Sequence, residues 1–69
     1  MCLSTAWELG EQGDRRMLCE YVSGIIIGGD TITLTDLMGR ETVVSGSLES
    51  VDLLKNAINI KVKAGVNKT

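Results

Sequence analysis

Two thiols set the chemical reach of this chain. Cys2 directly follows Met1, and the 69 residues contain only one other cysteine, Cys19, and no histidine. A thiol beside a free amino terminus gathers the α-amine, a backbone amide and a thiolate within two residues. Those atoms can close adjacent chelate rings around a single metal ion. A planar set of nitrogen and sulfur ligands suits Ni(II) or Cu(II) far better than Ca(II) or Mg(II). Cys2 is a small penultimate residue that permits removal of Met1, and an amine, an amide and a sulfur stay close together in either form. The competing reading of the same residue is a small buried hydrophobe.

Other chemistry is scarce. Without histidine there is no Ser–His–Asp arrangement and no ordinary general base at neutral pH, so no catalysis is expected. Asp30, Asp36 and Asp52 each fall at a turn or strand end, where carboxylates bond backbone N–H groups. Gly28-Gly29-Asp30 is no phosphate loop, because no Lys-Ser/Thr and no helix start follow it. Arg15-Arg16 reads as a solvated or edge-protecting pair. Trp7 and Tyr21 are the only aromatics; they are expected inside or at a subunit interface, and they are too few for a base-stacking platform. Strand phase places Met17, Cys19 and Tyr21 on one face and Leu18 and Glu20 on the other, and Cys19 reads as a buried inert thiol, with a ligand role as the alternative. Two cysteines cannot supply the four ligands of a structural zinc site. A twofold dimer changes this arithmetic by duplicating Cys2 about one axis. Two thiolates and two main-chain nitrogens then complete a square plane.

Composition narrows the class. A chain this short buries only about 60% of its unfolded surface and builds a marginal core, so a disulfide, a metal or a second subunit is expected to supplement it. With no cysteine framework and no signal peptide, reduced thiols and a cytoplasmic protein are expected. The longest apolar run, Ile25-Ile26-Ile27, falls far short of the ~20 residues of a membrane span. The net charge of −2 and pI near 4.9 speak against a nucleic-acid partner, whose binding sites show a basic excess.

The elements that must position Cys2 read as strands. There is no proline, and eight glycines separate short segments rich in Val, Ile, Thr and Leu. Strands are expected over residues 3–8, 15–20, 21–27 with a bend near Gly24, 31–37, 42–45, 48–53 and 58–63. Thr31 to Leu37 and Ile58 to Lys63 alternate apolar with polar residues, the mark of one buried face. No window sustains helical spacing. The result is a single all-β domain over residues 1–69, with 64–69 as a frayed tail. It is expected to be a small twisted sheet or barrel of six to seven short antiparallel strands, closed or dimeric so that no edge is left open. Ile32, Leu34, Val43, Leu48, Val51, Ile58 and Ile60 are the expected core, with Leu37 as a further candidate.

The chain resembles the CooT family of small accessory proteins associated with nickel insertion into carbon monoxide dehydrogenase. The resemblance rests on Met1-Cys2-Leu3-Ser4-Thr5-Ala6-Trp7, on Gly29 to Gly39 as a turn–strand–turn, and on Gly46, Val51-Asp52-Leu53-Leu54 and Ile58-Asn59-Ile60. It implies a β-rich homodimer that binds Ni(II) through Cys2, and a metalloenzyme client such as carbon monoxide dehydrogenase. It implies nothing for Cys19. Two other readings stand beside it. Maturation chaperones of hydrogenase assembly also open Met-Cys-Leu, but they carry a proline where this chain has Ser4-Thr5-Ala6. A small RNA-binding barrel would need more positive charge and more aromatics.

Overall fold

The structure, a computed structural model, describes residues 3–63; Met1, Cys2 and the expected frayed tail 64–69 lie outside the described residues. Five strands follow one another: β1 (Ser4–Leu9), β2 (Arg15–Ile27), β3 (Thr31–Asp36), β4 (Glu41–Asp52) and β5 (Ala57–Val62). They hydrogen-bond in chain order and close into a barrel. The fold is all-β, as expected, but with five strands in place of six or seven. Two pairs of expected strands are each continuous. Residues 15–20 and 21–27 form β2, and residues 42–45 and 48–53 run together as β4 through Gly46. Nor are all neighbours antiparallel: β1 and β5 pair in parallel, with Thr5 opposite Ala57 and Glu8 opposite Ile60. That pairing closes the barrel and joins its first and last strands.

Bulges explain how two long strands serve several partners. On β2, Cys19 stands opposite Ala6 while Met17 stands opposite Trp7, so Leu18 is an extra residue. A second irregularity separates Cys19 and Val22 against β1, where Tyr21 takes a left-handed φ of 57°, an uncommon state for a bulky residue. A third separates Val22 and Gly24 against β3. Each bulge bends and twists its strand. β2 therefore pairs with β1 up to Val22 and with β3 from Val22 onward.

Gly46 lets β4 cross from β3 to β5. A Cβ there would collide with the backbone carbonyl oxygen of Lys61 and the Cα of Val62.

The interior is small. Ala6, Val22, Ile32, Leu34, Ile58 and Ile60 form the buried cluster, with Leu18, Cys19, Ile25, Val44, Leu48 and Val62 half-buried against it. Four of the seven expected core residues are in the buried cluster, and Leu48 packs on its edge. Val43 does not: it stands opposite Thr33 on the outer face and is 62% exposed. Its neighbour Val44, opposite Ile32, takes the inward place. Val51 faces Ile58 but lies at the end of β4, where cover runs out, and is 46% exposed. Leu37 falls beyond β3 in the following turn and is also exposed.

Candidate functional site

The first described residues fix where the amino terminus enters the barrel. Leu3 is half-buried, and Ser4 begins β1 opposite Val22. The Thr5 N–H donates to the Asn56 carbonyl at 2.9 Å. Asn56 holds a left-handed φ of 53°, which Asn tolerates better than most residues. The amino-terminal strand is thus anchored on the β4–β5 turn. Cys2, two residues before Ser4, lies outside the described residues, and no geometry is assigned to it.

That end of the barrel carries an apolar rim. Val22 stands opposite both Ser4 and Asp36, so the β3–β4 turn lies at the same end. Ala57 stands opposite both Thr5 and Asp52, which brings the β4–β5 turn there too. The Leu37 N–H donates to the Tyr21 carbonyl. Tyr21, Leu37, Met38, Leu53 and Leu54 are all exposed, Met38 by 77% and Leu54 by 96%. Single exposed apolar residues are ordinary on a soluble protein, but several gathered around one end of a small barrel mark an interaction surface.

Asp36 braces this rim. Its Oδ1 accepts the Met38 and Arg40 N–H groups, both at 2.9 Å, and its Oδ2 accepts Arg40 Nε at 2.8 Å. Burial pushes the carboxyl upward. The hydrogen bonds from Arg40 and Met38 and the guanidinium charge outweigh it, holding the carboxyl below its ordinary value. This is the turn-capping role expected for Asp36. Asp52 plays the same part in the next turn, accepting the Leu54 and Lys55 N–H groups at 3.1 Å.

Cys19 sits on the bulged part of β2, two residues before Tyr21 and near Asp36. Its thiol donates weakly to the Glu20 carbonyl at 3.6 Å. Burial, and then the nearby Asp36 carboxylate, push its pKa up against the opposing effects of Arg40 and Thr42. A thiol kept protonated is a poor nucleophile and a poor ligand. The expected pairing of faces fails here. The bulge turns both Leu18 and Cys19 toward the core, while Met17 and Tyr21 are exposed. Trp7 is half-buried on β1, with the Arg15 guanidinium 4.2 Å over its ring. Arg16 pairs with Glu8 at 2.6 Å. Among the described residues, no three His, Cys, Asp or Glu side chains cluster to hold a metal ion. No helix there is long and apolar enough to cross a membrane.

A sequence model of the family described as CO dehydrogenase accessory protein CooT matches residues 1–61. The chain belongs to the CooT family. The crystal structure of a candidate CooT from Carboxydothermus hydrogenoformans shares the fold, with a TM-score of 0.80 at 16% identity, over 90% of this chain and 98% of that one. No curated protein sequence matches. A CooT barrel of this form holds its amino-terminal strand at an apolar rim.

Proposed function

We propose that this single-domain protein is a cytoplasmic nickel carrier. It binds one Ni(II) per homodimer through paired Cys2 thiolates and main-chain nitrogens of the amino terminus, and passes the ion to carbon monoxide dehydrogenase or a related enzyme. The observation that carries this reading is the family match, which starts at residue 1 and so takes in the Met1-Cys2 opening. The geometry supports it in two ways. β1 starts at the exposed apolar rim, the surface best suited to meet a second copy. Cys19, the other thiol, packs against the core, and burial pushes its pKa up. A terminal site near the surface can release its ion to a client, and an accessory protein of this kind needs no catalysis of its own.

The test is a nickel titration followed by thiolate-to-metal absorption. Wild type is expected to bind with one Ni(II) per two chains. Cys2→Ser is expected to lose binding and stay folded, and Cys19→Ala to keep it. Affinity should rise with pH as the thiol and amine lose their protons. Loss of binding in the Cys19 variant alone would reject the assignment. If the metal-free protein fell apart or unfolded, the ion would be structural and the carrier role would lose its basis.

A further inference from the structure

Among the described residues, the first halves of β2 and β4 each lack a strand neighbour on one side. β3 covers β2 from Val22 to Ile27, whereas Arg15 to Cys19 pair with β1. β5 covers β4 from Gly46 to Asp52, followed by one more bond from the Lys63 N–H to the Ser45 carbonyl. Among the described residues, nothing pairs with the β5-side edge of Glu41 to Val44. Two clefts open between these bare edges. The larger, about 450 Å³, is lined by residues that include Leu18, Cys19, Glu20, Glu41 and Thr42. The smaller, about 240 Å³, runs past Arg16, Leu18, Val43, Val44 and Val62. Leu18 lines both, so they form one groove. Leu18, Cys19, Val44 and Val62 give it an apolar floor resting on the core.

Main-chain groups are available as well. The Ser45 carbonyl points to the β5 side, since it accepts from Lys63. Strand alternation then turns the N–H and carbonyl of Val43 to the same edge. An unpaired edge is a template on which an extended segment can add as a new strand. Charge selects among such segments. Arg16 is engaged by Glu8 and Arg40 by Asp36. Glu20 and Glu41 are exposed, and neither makes an ion pair among the described residues. The uncompensated charge on the groove is negative.

We infer that this groove docks an extended segment of a partner protein as an added strand on the Glu41–Val44 edge. Its apolar side chains lie toward Leu18 and Val44, and its basic ones toward Glu20 and Glu41. The groove meets the apolar rim at Tyr21 and Asp36, which line its larger cleft, but it does not depend on the metal reading.

The experiment titrates the full-length, 15N-labelled protein with the peptide acetyl-Lys-Val-Lys-Val-Lys-Val-amide, using acetyl-Glu-Val-Glu-Val-Glu-Val-amide as control. The expected result is saturable movement of the amide signals of Arg16–Glu20 and Glu41–Val44 with the lysine peptide only. The double reversal Glu20→Lys, Glu41→Lys should weaken that binding about tenfold and leave the dispersed spectrum of the free protein intact. No binding, an equal response to both peptides, or movement confined to the rim residues Leu37, Met38, Leu53 and Leu54 would overturn the inference. So would binding that appears only once residues 64–69 are deleted, which would give the groove to the chain's own carboxyl-terminal segment.

Discussion

Asp36 is the side chain whose charge matters most to this fold. It is nearly buried, and it gathers the Met38 N–H, the Arg40 N–H and the Arg40 guanidinium into one turn. Because its pKa is lower in the folded protein than its ordinary value of 3.8, the ionised form favours folding. That contribution is fully present above the unfolded pKa and is lost as pH falls through the folded one. Asp36→Asn should therefore melt at a lower temperature than wild type at pH 7. The gap should close as the pH is taken below 3.8. Thermal melts of both proteins across that range check the point, and a gap that stayed constant on acidification would mean the carboxylate's charge is irrelevant. The role of Asp36 was legible in the sequence, because an Asp before Leu37-Met38-Gly39 has few other uses. The protonated state of Cys19 was only partly legible. Burial could be read from residue type and phase, but the approach of Asp36 and Thr42 depends on how β2 pairs with β3 and how β3 pairs with β4, which no local pattern encodes.

At the scale of strands, the turns were easier to read than the runs between them. Gly28-Gly29-Asp30, Met38-Gly39-Arg40 and Lys55-Asn56 all mark real turns, with Gly39 at a φ of 85° and Asn56 also left-handed. Gly24 and Gly46 look like breaks in the same alphabet, yet the chain runs through both as strand. Their difference lies in tertiary contact. Gly24 sits beside a bulge, and Gly46 sits where two backbones approach too closely for a side chain. Side-chain phase failed for a related reason. Each bulge inserts one residue and shifts the alternation, so Leu18 and Cys19 share a face that strict alternation denies them. In the adjacent Val43-Val44, the pattern alone cannot say which valine points inward. The close approach at Gly46 makes a sharp prediction. Gly46→Ala must push β5 away or bend β4, and such overpacking destabilises by about 1–3 kcal/mol. Gly29→Ala, where nothing lies within 4 Å and φ is not left-handed, should change stability by less than about 0.5 kcal/mol. Chemical denaturation of the two variants beside wild type makes the comparison. Equal stabilities would show that β4 crosses between its partners without needing the glycine.

The whole molecule has too few buried side chains for its size and a surplus of apolar ones at one end. Among the described residues, only Ile32, Leu34 and Ile60 are large and fully enclosed, while Leu53 and Leu54 project almost entirely into solvent. Sequence reasoning anticipated that a second subunit would make up the shortfall, but it offered Trp7 as a contributor to the contact. In the structure Trp7 is half-covered by its own neighbours and by Arg15. The rim of Tyr21, Leu37, Met38, Leu53 and Leu54 is the better surface, because it is apolar, exposed and adjacent to the start of β1. A twofold axis through that rim would bury it against itself and bring the two amino termini together, which is the condition for Cys2 to act in pairs. Leu53→Asp with Leu54→Asp isolates this requirement, since neither leucine supports the core. Each leucine is worth about 2 kcal/mol when buried, so losing both should raise the dimer dissociation constant by roughly a hundredfold or more. Sedimentation at micromolar concentration should then give a monomer with wild-type tryptophan fluorescence. Its nickel affinity should fall although Cys2 is untouched, because one chain supplies only half of a square plane. A dimer that survived these changes would place the twofold contact elsewhere on the barrel, and a monomer that kept full affinity would show that one amino terminus holds the ion alone.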